Sequence, residues 1–387
     1  MTAPASKPHY FYIDCIRGYA VLMVITSHYV YQFPNVPYPV HRVLASGWFG
    51  VQLFFIASSL TLLMSWDHEQ RTGGRANWPA FFIRRFFRIA PAYYAAGLFY
   101  FFDAPPPHGF DPVQLAAGAT FLNNWNPGLM PVLLSRWNPF PGGWSVSVEF
   151  TFYAVFPWFV AVAGSARRVI LFIVAALAVG AVANRLALTA MAAAYPPVQL
   201  RNFLFFWFPG QASVFGFGAL VFLAIRRFPP TPWTARLLAI SACIAFVVLA
   251  FVPLGHFPGD GLRIPSVAAV CPPLALFVYA LSGLPPGLLL NRFAAAMGRV
   301  SFSAYLLHFA VLGWLDRFAG RLGAGATGYA AIAAFVVAWC VAVLLTFAAA
   351  WGVWRMIERP GIAFGSRLIR RWAARQLRPP PISLTMS

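Results

Sequence analysis

Residues 17–28 read RGYAVLMVITSH, with an arginine and a histidine bracketing ten mostly apolar positions. On an α-helix, at about 1.5 Å and 100° per residue, Arg17 and His28 would stand about 16 Å apart along the axis and about 20° apart around it. They would share a face. In a helix that crosses a membrane, that face presents a fixed cation near one surface and a proton-exchanging imidazole most of the way to the other. Asp14 lies three residues before Arg17, so an i,i+3 ion pair is the structural alternative for that end of the helix. For His28 the alternative is a hydrogen bond to a neighbouring helix.

Three more clusters carry chemistry. FIRRFFRIAPAYY at 82–94 sets Arg85 and Arg88 three apart on one helix face, with Arg84 beside them. Guanidinium forks spaced in this way can grip phosphate oxygens; the bland reading makes them anchoring charges at a membrane surface. In WSVSVEFTFYAVFP at 144–157, Glu149 has Ser145 one turn before it and Tyr153 one turn after, all on one face. Such a carboxylate can orient a histidine or take part in proton transfer. In GRVSFSAYLLHFAVLGW at 298–314, Ser301, Tyr305 and His308 form a polar stripe at i, i+4 and i+7. That stripe can contact a substrate or bond helix to helix.

The elements that must position these residues are membrane helices. Of 387 residues, 60% are hydrophobic and 10% charged, and mean hydropathy is +0.69. A globular domain of that composition would expose much apolar surface to water. The expected fold is an all-α polytopic membrane protein. About ten apolar segments of spanning length can be drawn, at 11–31, 47–65, 89–103, 143–163, 168–188, 204–225, 236–254, 264–282, 300–316 and 327–354. The stretch 113–123 is too short to span and suits an interfacial or re-entrant piece. Basic residues outnumber acidic ones 28 to 9, and all but Lys7 are arginine. They fall in alternate loops, so the positive-inside rule places both termini in the cytoplasm and removes the need for a nucleic-acid partner. Cys15, Cys243, Cys271 and Cys340 show no paired spacing, so neither a disulfide framework nor a metal site is expected. The charged first segment, without a small-residue cleavage site, is expected to remain as a span. Domain organisation is read as one integral-membrane unit over 1–361 and a basic, amphipathic cytoplasmic tail over 362–387, lying on membrane lipid.

Taken together, the motifs resemble acyltransferase family 3, membrane proteins that transfer acyl groups to hydroxyls of glycans and other acceptors. IDCIRGYAVLMVITSH resembles that family's opening helix with its R-x10-H spacing, and GVQLFFIASSL at 50–60 its second-helix pattern. The R-x-x-R arginines at 85 and 88, the W-S-x-x-x-E block ending at Glu149, SFSAYLLHFA and the closing MIERPG follow in the family's order. Gln52 stands where the family usually has Asp, Ser59 where it has Gly, Phe302 where it has Tyr, and Ala310 where it has Pro.

The resemblance implies an acyl-CoA co-substrate, by default acetyl-CoA, and a glycan, lipid-linked sugar or related acceptor, in a bacterial inner membrane. It implies that Arg85 and Arg88, with Arg84, hold the donor's phosphates and that Arg17 helps position the donor. His28 acts as general base on the acceptor hydroxyl or as transient acyl carrier. Glu149 fixes the His28 tautomer or pairs with Arg17, Asp14 completes the catalytic group, and Ser301, Tyr305 and His308 line the acceptor side. The second reading is a proton-coupled transporter or flippase, suggested by interruptions at FPGQ (208–211) and CPP (271–273).

Overall fold

The structure is a computed structural model that describes residues 10–72, 77–103, 111–130, 140–255, 265–319 and 325–376. Among the described residues fifteen α-helices follow one another: α1 Phe11–Val30, α2 Tyr38–Ala45, α3 Gly50–Arg71, α4 Trp78–Asp103, α5 Pro112–Ala119, α6 Gly143–Val162, α7 Ala166–Met191, α8 Pro197–Phe206, α9 Phe208–Arg227, α10 Pro232–Phe251, α11 Ser266–Leu281, α12 Arg292–Arg299, α13 Ser301–Ala319, α14 Gly328–Val353 and α15 Arg359–Gln376. Among the described residues the only extended pairing is an isolated bridge between Gly255 and Pro265.

Among the described residues six stretches are long and apolar enough to cross a membrane: Tyr38–Arg71, Gly143–Val162, Ala166–Met191, Pro197–Arg227, Pro232–Phe251 and Gly328–Ala374. Taken as one span, α12 with α13, bent by 83° where they join, make a seventh. The expected ten segments match α1, α3, α4, α6, α7, α9, α10, α11, α13 and α14 in order, but not all of these pass on apolarity and length. The reason is visible in the sequence. Charged residues depress α1 (Asp14, Arg17) and α4 (Arg84, Arg85, Arg88, Asp103), and α11 has only 16 residues. The 113–123 stretch forms the short α5, capped by Asp111, whose carboxylate accepts from the Val113 and Gln114 amides. Pro209 lies in the first turn of α9, and Pro272 with Pro273 lie within α11, which continues as one helix through them, so neither sequence interruption breaks a helix in its middle.

Burial sorts the helices into a centre and a rim. Of the apolar stretch in Tyr38–Arg71, 67% is buried inside the protein, against 17% in α7 and 22% in α10. Ile170, Val174 and Val182 on α7, and Ile240, Ile244 and Val248 on α10, face outward. Apolar surface on that scale requires a hydrocarbon solvent. The centre is held by close backbone approach, since lipid offers no hydrophobic drive for helices to associate. A Cβ on Gly18 of α1 would collide with the Ala294 carbonyl of α12, and one on Gly298 of α12 with the Asp14 carbonyl of α1. Ser59 of α3 donates to the Phe215 carbonyl of α9 at 2.7 Å. Gln52 and Gln211, both fully buried, tie the same two helices by a hydrogen bond of 3.0 Å, donated by Gln52 Nε2 to Gln211 Oε1.

The expected boundary at 361/362 falls inside α15, which runs on without interruption; residues 377–387 of the tail lie outside the described residues. A single turn of π-helix, Trp354–Glu358, joins α14 to α15. From there α15 turns back against α4, with Gly361 over Pro91 and Phe364 5.2 Å from Phe87 between ring centres.

Candidate active site: an arginine-lined cavity beside a histidine pair

Five helices enclose a cavity of about 700 Å³, part of it open to the surroundings. Its polar lining comes from Arg17 on α1, Ser58 on α3, Arg85 and Arg88 on α4, Ser145, Glu149 and Tyr153 on α6, and Ser301 and Tyr305 on α13. Phe54, Phe55, Ile89, Val146 and Phe302 make the apolar walls. The i,i+3 and i,i+4 spacings read from the sequence therefore point inward. Arg85 and Arg88 share one wall, and Ser145, Glu149 and Tyr153 another.

Charge is unbalanced in this space. Arg17, Arg85 and Arg88 line it with Glu149 as the lining carboxylate, and with Glu358 paired to Arg88 from behind the wall the three cations still exceed the two carboxylates by one. Glu149 is engaged locally: Ser58 donates to its Oε1 at 2.6 Å and Tyr153 to the same atom at 2.5 Å. Arg88 donates to Glu358 at 2.5 Å, and Arg84 pairs with Glu69 at 3.1 Å on the wall of a smaller adjoining pocket. Arg17 and Arg85 form no ion pair among the described residues. The Arg85 guanidinium lies over the Phe81 and Tyr153 rings, 5.7 and 6.0 Å from their centres, and its buried Nε has no hydrogen-bond partner. A buried, unsatisfied donor beside apolar rings in a cationic cavity is a strong lure for an anion.

The two membrane histidines meet beyond Tyr305. Ring centres of His28 and His308 are 5.1 Å apart, and both pack on Phe309, at 4.8 and 4.0 Å. His28 Nδ1 is 2.9 Å from the Val24 carbonyl and His308 Nδ1 2.6 Å from the Tyr305 carbonyl. A carbonyl can only accept, so each Nδ1 carries the proton and each neutral ring presents Nε2 as its basic atom. The tautomer of His28 is thus set by its own helix one turn back, not by Glu149. His308 is fully buried with no partner for Nε2, whereas His28 is exposed.

Tyr305 joins the two halves. Its hydroxyl lines the cavity, accepts from Ser145 at 2.8 Å and donates to the Gly142 carbonyl at 3.1 Å, while its own carbonyl holds His308. Gly142, at φ +74°, is required there: an L side chain would be strained, and its Cβ would lie 2.9 Å from the Tyr305 hydroxyl. The expected stripe on α13 is therefore divided, with Ser301 and Tyr305 on the arginine cavity and His308 against His28. Asp14 does not line the cavity; its backbone carries the α1–α12 contact.

Several residues of the site carry no local sequence signal. Ser58 lies within GVQLFFIASSL and Glu358 within MIERPG, and the spacing of those motifs assigns neither a role. Tyr100 gave no signal: its hydroxyl donates to the Leu306 carbonyl at 2.8 Å and accepts from the Ala310 amide at 3.0 Å. It thereby bridges the carbonyl and amide that a regular helix pairs with each other, on either side of His308. Gln52, the departure from the family's Asp, faces Gln211 and not the cavity.

An arginine-lined cavity beside a histidine pair, enclosed by long apolar helices, defines a helical membrane protein with polar groups gathered at its centre. The family model described as an acyltransferase domain, that of acyltransferase family 3, matches residues 10–355, and the chain belongs to that family. It is also similar to acyltransferase MdmB of Streptomyces mycarofaciens, 27% identical over 340 residues that cover 81% of each chain. No solved structure matches it.

Proposed function

We propose that the protein moves an acyl group, acetyl by default, from a cytoplasmic coenzyme A thioester to a hydroxyl of a glycan, lipid-linked sugar or related acceptor. The observation that carries this reading is the cavity: Arg17 and Arg85, without ion-pair partners among the described residues, line it, and Tyr305 connects it to a histidine pair in which His308 Nε2 has no partner among the described residues. Coenzyme A is a matching shape, with phosphates at one end and its thioester at the far end of a long arm. Arg85 and Arg17, with Arg88, hold the phosphates. His28, exposed and on the shared face of α1, receives the acceptor.

In the transfer step, His28 Nε2 takes the hydroxyl proton while the acceptor oxygen attacks the thioester carbonyl. A C–O bond forms, the C–S bond breaks, and the thiolate leaves and takes up the proton from the imidazolium. Attack by Nε2 itself, giving a transient acyl-imidazole, is the covalent version of the same sequence. His308 lies behind His28, where it stabilises the imidazolium that forms. Glu149, bonded to Ser58 and Tyr153, tempers the surplus positive charge of the cavity.

The topology we infer has ten spans: the seven apolar ones together with α1, α4 and α11. With arginine-rich loops inward, both termini are cytoplasmic, as expected of a bacterial inner-membrane enzyme. The test is binding of coenzyme A to purified protein in lipid nanodiscs. Saturable binding that Arg85→Ala weakens supports the donor assignment, and an absence of binding to the wild type refutes it.

A further inference from the structure

Arg88 differs from the other cavity arginines in being held by a carboxylate from far along the chain. Its Nη1 donates to Glu358 Oε1 at 2.5 Å, and Ser303 of α13 donates to Glu358 Oε2 at 2.8 Å. Glu358 is fully buried, while the Arg88 side chain keeps 27% of its surface accessible and lines the cavity. Both carboxylate oxygens are thus occupied, one by each neighbouring helix. A buried carboxylate is expensive unless paired and hydrogen-bonded, so its placement demands a purpose beyond filling space.

The local backbone is shaped to deliver it. Glu358 is the last residue of the π-helical turn Trp354–Glu358, and such turns inside α-helices re-aim side chains and are frequent at functional sites. Immediately after it, α15 seats Gly361 against Pro91 and Gly365 against Phe87, one residue before Arg88. The turn, the docked helix and the carboxylate converge on one guanidinium.

We propose that Glu358 is a positioning residue of the donor cavity: it takes one edge of the Arg88 guanidinium and is itself clamped by Ser303. The remaining Arg88 N–H groups are thereby fixed at the cavity wall. This rests on the reading of the cavity as the coenzyme A site. Two effects of opposite sign meet at this residue. As a negative charge near an anion site, Glu358 should weaken coenzyme A binding; as an anchor for Arg88, it should strengthen it. The anchor dominates, because the charge sits behind the guanidinium and is neutralised by it, whereas a released arginine loses its aim.

The experiment is a double-mutant cycle on coenzyme A affinity, with purified protein in nanodiscs. Glu358→Ala should weaken binding about tenfold, as expected for one misplaced charge-assisted contact. Glu358→Gln, which keeps an oxygen for Arg88, should recover most of that loss. In an Arg88→Ala background, Glu358→Ala should change nothing further. Should Glu358→Ala not yield folded protein, Ser303→Ala, which frees one carboxylate oxygen, should weaken binding less and lose its effect without Arg88. Unchanged or tighter binding in Glu358→Ala, or the same loss with and without Arg88, would overturn the proposal while leaving the donor site standing. Wild-type protein that fails to bind coenzyme A would overturn both.

Discussion

The contact between α1 and α12 gives the sharpest structural prediction. Gly18 and Gly298 each face a backbone carbonyl of the other helix, Ala294 and Asp14 respectively, closer than any Cβ can approach. Those neighbours are main chain, so no side chain can swing aside, and Gly298→Ala must push the two helices apart by about 1 Å. Overpacking of this kind costs about 1–3 kcal/mol. Because Asp14 and Gly18 flank Arg17, the displacement falls directly on a cavity arginine, and a misplacement of about 1 Å at a reacting centre can lower rate about 100-fold. The control is Gly313→Ala in α13, where nothing lies within 4 Å of the new Cβ. There the exchange should be neutral or stabilise by about 0.5–1 kcal/mol, the helix-interior difference between the two residues. Thermal unfolding of both variants in nanodiscs, followed by thiol exposure, and transfer by the folded fraction would be compared. If Gly298→Ala matches Gly313→Ala in both, close approach of α1 and α12 is not what places Arg17.

Further outcomes follow from the same geometry. Arg85→Ala should weaken coenzyme A binding by about 10- to 150-fold, the range for a charge-assisted contact, in equilibrium titration. Arg88→Ala should cost less affinity but more stability, about 3–5 kcal/mol, because it strands the buried Glu358 carboxylate; a lower unfolding temperature for Arg88→Ala than for Arg85→Ala checks this. His308→Phe, which keeps a ring against Phe309, should cut transfer about 100-fold with coenzyme A affinity unchanged; equal loss of both would assign His308 to packing alone. Gln52→Ala should lower stability by about 1–3 kcal/mol through the unpaired Gln211 oxygen, with transfer per folded molecule unaltered.

Hydropathy located the helices well because a spanning segment must satisfy its backbone internally and bury apolar side chains continuously. At α4 hydropathy places the span from residue 89 whereas the helix begins at Trp78, because three arginines lower its apolarity while favouring helix all the same. The α4 charges, and Asp14 with Arg17 in α1, keep both helices from passing as spans on composition. Shared faces along one helix, such as Arg85 with Arg88 or Glu149 with Tyr153, were legible from periodicity. Contacts between helices were not. Glu358 reaches Arg88 across 270 positions, Tyr100 reaches α13 across more than 200, and Gln52 meets Gln211 across 159. Nothing in local spacing encodes such pairings; they depend on which backbones the glycines allow to approach.

Acyl transfer through His28 is tested by mass spectrometry of envelope glycans and glycolipids from cells producing wild type, His28→Ala or no protein, with coenzyme A binding measured on both purified forms. A mass increment of one acyl group is expected with wild type and its absence with His28→Ala and with no protein, while both forms bind coenzyme A equally. An increment that persists in a folded His28→Ala protein would contradict transfer through His28.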